Sequence, residues 1–324
     1  MHMGEPSVWG SWTLTPIVWA LMAVASAGYL GAATRRPGWP VLRTLSWVAA
    51  MLFLVVAVNS SLAMFGHHLF WAHMVIHLVM ITVVPLPLVL AQPIRLALEV
   101  LPDAAAARVR AVLTARPTRL LTSPVVGVPL YAAVLVMTHL TGFQQAMTAH
   151  MWVHDLELVL YLVSGYLLLL PLIGGEFSGH DLSYPIRFFA LLLAMGPDTL
   201  VGVTLMMTDH QQAPGFADSR MGWPPGGLAN PDALADQSAA GAIMWFGGDG
   251  LMMTLLVIVA WQWIKAEGSR ADDRPARRAS WIESARRQSL GAGEGASDVD
   301  LDDDDAALER YNAMLARLNE RQSR

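Results

Sequence analysis

Residues 65–90 read FGHHLFWAHMVIHLVMITVVPLPLVL. The run is apolar over more than the about 20 residues a helix needs to cross a bilayer, yet it carries His67, His68, His73 and His77. His73 and His77 are four residues apart, which on a helix puts both on one face, about 6 Å apart along the axis. Met80 falls on the same stripe. Ionisable side chains are costly inside a membrane and normally face a protein interior or a wet cavity. Two imidazoles and a thioether in line therefore predict a membrane helix with polar partners.

The rest of the chain agrees. Apolar residues make up 54% of it and charged residues 15%, with long runs free of charge. That is the make-up of a polytopic membrane protein, not of the two or three soluble domains that 324 residues would otherwise suggest. With no cysteine, disulfides, thiolate metal sites and thiol redox catalysis are excluded. Most of the 18 methionines and 12 tryptophans read as gap filling and interfacial anchoring. A net charge of −5 makes no electrostatic case for nucleic acid. The first twelve residues hold Glu5 and no Lys or Arg, so the first apolar segment reads as a true span, not a cleavable leader.

Seven spans are predicted, at about 13–33, 42–64, 68–91, 122–142, 147–174, 185–208 and 237–263. The predicted fold is all-α, a polytopic seven-transmembrane-helix bundle over residues 1–264. With the N-terminus outside, all of the 21 lysines and arginines except Arg220 fall on the cytoplasmic side. Ala27 and Gly31 give the first span a small-residue face for close helix contact. Pro85 and Pro87 predict a kink in the third. The Ala/Arg-rich stretch 92–121 is expected to form one amphipathic helix on the inner leaflet of the lipid bilayer. Residues 265–324 read as a cytoplasmic, largely disordered tail with an acidic run from Asp298 to Asp305. A short amphipathic helix follows at about 305–321, with Leu308, Tyr311, Leu315 and Leu318 as an apolar stripe that suits docking; a solvated, partly helical tail is the equal alternative.

On this topology His73, His77, His139, His150, His154, Met206 and Asp236 come from five different spans, yet all lie toward the outer side. His150, His154, Glu157 and Tyr161 form one stripe of the fifth span. His180 and Asp181, in a cytoplasmic loop, read as ordinary solvated residues. A lone histidine at a helix end, such as His139, reads more readily as an interfacial residue than as a ligand. The concentration on one side is what points to a shared polar or metal site.

Imidazole suits Cu, Zn, Fe and Ni, and thioether selects Cu(I), so a His-plus-Met set without thiolate favours copper; zinc and haem stay open. The expected core is His73, His77, His150 and His154 as two facing pairs, capped by His139 and by Met206 or Met244. Glu157 and Asp236 would orient imidazoles from behind. Asp198 and Asp249, near mid-membrane, are expected to face each other or a wet cavity; separate hydrogen bonds are the alternative.

Three pieces, HMVIHLVM (73–80), HLTGFQQAMTAHMWVHDLELVLYLVSG (139–165) and DQSAAGAIMW (236–245), resemble the multi-pass CtaG family of cytochrome c oxidase assembly factors. That family is distinct from the single-span, tethered copper chaperone that sometimes shares its name. The acidic run followed by AALERYNAMLARLNER is similar to the tail of actinobacterial members. The likeness covers nearly the whole chain from about Leu42.

It implies a bacterial plasma-membrane protein, not an enzyme, that helps mature the copper centres of haem–copper oxidases. Oxidase subunits or other assembly factors are then the partners. His73, His77, His139, His150, His154, Glu157, Asp236 and Met244 match the family pattern. Ile76 stands where relatives often have Gln, Leu158 where many have a further His, and Asp198 and Asp249 where some have His and Glu. These departures leave the ligand count open. Two other readings are a seven-span zinc hydrolase using metal-activated water and a haem carrier with axial histidines on facing helices.

Overall fold

The structure, a computed structural model, describes residues 12–173, 182–218 and 232–289, together with Glu309, Asn312, Ala313 and Ala316. The chain divides into two units, residues 1–260 and 261–324. Every regular element among the described residues is helical. The first half holds α1 (Pro16–Arg35), α2 (Val41–Asn59), α3 (Ser61–Gly66), α4 (Phe70–Leu78), α5 (Pro85–Ala91), α6 (Pro93–Val100), α7 (Asp103–Thr114) and α8 (Arg116–Leu121). The second holds α9 (Pro124–His139), α10 (Phe143–Ala149), α11 (Met151–Ile173), α12 (Tyr184–Met207), α13 (Pro214–Asp218), α14 (Ala233–Ala242) and α15 (Gly248–Ser289). Prolines sit in the first turn of α1, α5, α6, α8, α9 and α12, where a missing N–H costs nothing.

Six helical stretches are long and apolar enough to cross a membrane: Pro16–Arg35, Val41–Asn59, Phe70–Val100, Met151–Ile173, Tyr184–Met207 and Ala233–Gly268. A seventh exists if α9 and α10 count as one span, for they are bent by 64° at the break between them. At that bend His139, the last residue of α9, is fully buried.

The histidine helix departs from α geometry before its prolines. After α4 the chain makes a π turn, Val79–Val83, in which the Val84 N–H donates to the Val79 carbonyl five residues back. Pro85 has no N–H for the Ile81 carbonyl, and α11 crosses against that carbonyl at Gly165. A Cβ there would run into Ile81, with its carbonyl carbon at 2.6 Å. A residue without a side chain is therefore required where the two backbones meet. A second such crossing joins α12 and α14, where a Cβ on Gly202 would lie 2.7 Å from the Gly241 carbonyl oxygen and one on Gly241 2.6 Å from that of Gly202. A second π turn, Ile243–Gly247, then links α14 to α15.

Several expectations need correction. Stretch 92–121 is three helices, not one, because Leu101 is forced extended before Pro102, and Ala115 is extended ahead of Arg116–Pro117. The second span stops at Asn59, whose amide donates to the Thr13 carbonyl and the Thr15 hydroxyl; the Ser60 hydroxyl then caps α3. Gly31 makes no close helix contact, for a Cβ there would meet nothing within 4 Å. Beyond Lys265 the backbone stays helical to Ser289, in a stretch rich in the good helix formers Ala, Arg and Glu. The acidic run, the apolar stripe Leu308, Tyr311, Leu315 and Leu318, and the residues His180, Asp181 and Arg220 lie outside the described residues.

Candidate metal centre

At one end of the bundle α4, α9, α11 and α14 bring their polar residues together. His73 and His77 stand one turn apart on α4, and Glu157 approaches from the second turn of α11. All three are fully buried. Glu157 Oε2 lies 3.4 Å from His73 Nε2 and 3.5 Å from His77 Nε2. None of these three atoms has a hydrogen-bond partner among the described residues. The other carboxylate oxygen, Oε1, accepts a hydrogen bond from the Gln144 amide on α10, 3.3 Å away.

The surrounding hydrogen bonds assign the imidazole protons. His139 Nδ1 is 2.9 Å from the Leu135 carbonyl, which can only accept, so Nδ1 carries the hydrogen and Nε2 a lone pair. His139 Nε2 lies 3.2 Å from His77 Nδ1, so His77 donates through Nδ1. Its Nε2 then also presents a lone pair, toward Glu157. A second link fixes His139. Thr138 donates to the Val134 carbonyl at 2.8 Å, leaving its oxygen to accept from the Tyr161 hydroxyl at 2.8 Å, and that hydroxyl oxygen lies 3.1 Å from His139 Nδ1. Tyr161 also stacks on His77, with ring centroids 4.1 Å apart.

Lone pairs thus converge on one buried point from His77 Nε2 and Glu157 Oε2, with His73 Nε2 beside them. Such an arrangement is repulsive unless a cation, proton or metal, lies between. Ligands about 2.0–2.1 Å from one ion are separated by roughly 3.3–3.5 Å, which matches the distances found. His73, His77 and Glu157 can therefore hold a metal ion, their donor atoms all lying within 4.8 Å of one another. The thioether beside this cluster is Met74 Sδ, 3.2 Å from His139 Nε2.

The other expected site residues fall elsewhere. His154 is 8% exposed, with its ring centroid 5.7 Å from that of His73. His150 does not join them: α11 begins at Met151, so His150 sits in extended backbone between α10 and α11 and is exposed. Met206 packs over Gly241 at the α12–α14 crossing. Met244 is buried in the second π turn. Asp198 accepts from the Tyr131 hydroxyl at 2.8 Å, and Asp249 from the Thr199 hydroxyl at 2.7 Å, so each acid has a hydroxyl donor of its own. Gly248 packs against the Asp198 carboxyl group, where a Cβ would be 2.9 Å from Cγ.

Asp236 has a structural role that its sequence position concealed. Its carboxylate accepts from the Phe70 N–H at 2.9 Å and the Trp71 N–H at 3.0 Å. It thereby caps the first turn of α4, whose own N-cap residue, Leu69, offers no side-chain acceptor. The neighbouring Gln237 ties down the chain leaving α12: its amide donates to the Leu205 and His210 carbonyls and its oxygen accepts from the Gln212 N–H. Phe216 on α13 covers the centre from above His73, with ring centroids 5.3 Å apart, and stacks on Phe70 at 4.9 Å.

The sequence model of the cytochrome c oxidase caa3 assembly factors, Caa3_CtaG, matches residues 24–266. The chain belongs to this family. Uncharacterized proteins of Mycobacterium bovis and Mycobacterium tuberculosis are each 29% identical to this chain over 320 residues, and one of Mycobacterium leprae is 28% identical. Each match takes in 95% of this chain and 44% of the relative, so the chain spans less than half the length of these proteins. No solved structure matches. Within this Caa3_CtaG member, the motif DQSAAGAIMW builds the scaffold. Asp236 caps the histidine helix, Gln237 holds the turn after α12, and Gly241 makes the close crossing with Gly202.

Proposed function

We propose that this protein holds a copper ion at His73, His77 and Glu157 and serves cytochrome c oxidase assembly by making that ion available to an oxidase subunit or another assembly factor. The supporting observation is the trio of buried donor atoms that have no hydrogen-bond partner among the described residues, two imidazole nitrogens and one carboxylate oxygen, in a chain of the caa3 assembly factor family. Met74 and His139 add a thioether and a third imidazole on the far side of His77, a softer surrounding that favours Cu(I) over harder ions. The protein spans the bacterial plasma membrane with its N-terminus and the metal centre toward the outside, as the distribution of lysine and arginine implies. It acts as a holder of metal, not as an enzyme.

A zinc hydrolase would use the same two imidazoles and carboxylate, since His₂Glu is a known catalytic zinc set. Metal analysis of the purified protein separates it from the copper reading. Haem fits less well, because adjacent rings of the cluster lie 4.1–5.7 Å apart and two axial imidazoles must stand on opposite sides of a macrocycle.

The test is replacement of the chromosomal gene in its host by variants. His73→Ala is expected to lower cytochrome c oxidase activity severalfold at unchanged protein level, with partial recovery on added copper. His150→Ala serves as the control and is expected to match wild type. Full oxidase activity with His73→Ala contradicts the proposal.

A further inference from the structure

Five imidazoles form a continuous row from the surface to the centre. His67 is exposed, His154 is 8% exposed, and His73, His77 and His139 are fully buried. Ring centroids are separated by 4.7 Å from His67 to His154, 5.7 Å from His154 to His73, 4.1 Å from His73 to His77, and 5.0 Å from His77 to His139. The row alternates between segments: His67 directly follows α3, His154 stands on α11, and His73 and His77 on α4. His154 is the middle member of its outer part. Its Nδ1 is buried without a hydrogen-bond partner among the described residues, and Asp155 Oδ1 is 3.9 Å away. A buried nitrogen without a partner costs free energy unless it serves a ligand.

We propose that His67 and His154 are the loading route of the centre: they take up Cu(I) at the rim and pass it to His73. The inference rests on the copper reading above. At this spacing an ion bound to one imidazole comes within reach of the next, so it moves by exchanging one ligand at a time and never crosses the apolar interior bare. Nothing is oxidised or reduced, and each step breaks one metal–nitrogen bond as another forms. His154 serves the route and not the resting site, since the converging atoms are those of His73, His77 and Glu157.

The experiment uses full-length protein in detergent under reducing, anaerobic conditions, with a Cu(I)–bicinchoninate complex as the donor. Two quantities are read: Cu(I) bound at equilibrium, and the rate at which the chelate colour fades on mixing. His154→Phe keeps a ring of similar size. It is expected to bind as much copper as wild type while loading about tenfold more slowly. His67→Ala, at an exposed position, is expected to slow loading in the same direction with binding unchanged. Wild-type loading rates in both variants overturn the route and leave the centre standing. Loss of equilibrium copper from His154→Phe, in protein with an unchanged circular dichroism spectrum, overturns it by making His154 a ligand. A wild type that takes no copper overturns the centre and the route together.

Discussion

His77 Nδ1 and His139 Nε2 lie 3.2 Å apart, and this contact decides which nitrogen of His77 faces Glu157. Because the Leu135 carbonyl fixes the hydrogen on His139 Nδ1, His139 Nε2 can only accept, and His77 is held with Nε2 bare. His139 thus acts on the centre through the tautomer of its neighbour. Replacing His139 by Leu leaves the buried His77 N–H unpaired, at a cost of about 1–3 kcal/mol. It also frees the ring to reverse its tautomer. Metal affinity is expected to fall by about 10–100-fold, as for other partners that orient a ligating imidazole. His139→Gln, whose side-chain carbonyl can accept the same hydrogen, is expected to recover part of the loss. Chelator competition on the two variants measures both. Equal affinity for Leu and wild type counts against the tautomer argument.

Asp236 binds two main-chain amides of α4 from a position 166 residues away from Phe70. Each such charge-assisted bond contributes about 1.5–3 kcal/mol. Asp236→Ala is expected to lower the thermal unfolding midpoint in detergent and to reduce bound metal, because the first turn of α4 carries His73. Asp236→Asn retains one acceptor and is expected to fall between. A midpoint unchanged in Asp236→Ala would show that the cap is not needed.

Gly165 allows α11 to touch the π turn below the histidines, and so sets how far Glu157 reaches toward α4. Gly165→Ala must push the two backbones apart, since its Cβ would occupy the space of the Ile81 carbonyl. The expected result is poor accumulation in the membrane or loss of metal. Gly28→Ala and Gly31→Ala meet nothing within 4 Å and are expected to change stability by no more than about 0.5 kcal/mol. Membrane levels and thermal midpoints of the three variants compare them directly.

The chain has no cysteine, so single cysteines report topology without background. Gly142→Cys sits in the bend between α9 and α10 at the histidine end, and Ala115→Cys between α7 and α8; both positions are exposed. A membrane-impermeant maleimide applied to intact cells with a permeabilised outer envelope is expected to label position 142 and to spare 115. The reverse pattern places the metal centre on the cytoplasmic side.

How much of this was legible in the sequence follows from what each signal encodes. The pairing of His73 with His77, and the presence of Glu157 on a facing helix, followed from helical spacing inside apolar runs. His150 belonged to the same numerical stripe but precedes the first turn of α11. Helix starts are the least reliable part of a periodicity argument. Met74 escapes the periodicity because it is rotated about 100° from His73, and only the arrival of His139 from α9 makes that face polar. Gln144 and Asp236 act across the fold through hydrogen bonds, which leave no local pattern. The π turn is equally silent in sequence, since its extra residue is declared only by the Ile81 contact with Gly165. The 92–121 stretch breaks for a simpler reason: Pro93, Pro102 and Pro117 stand at the starts of separate helices, with Leu101 extended directly before Pro102.

The central claim is a metal ion held by His73, His77 and Glu157, and equilibrium Cu(I) binding to purified protein tests it most directly. The account expects one tightly held ion per chain in wild type, and loss of that ion in His77→Ala. It expects affinity weakened by about 10–100-fold in Glu157→Gln, which keeps the shape and the Gln144 contact but removes the charge. Stoichiometric copper in the His77→Ala protein, or none in the wild type, would contradict it.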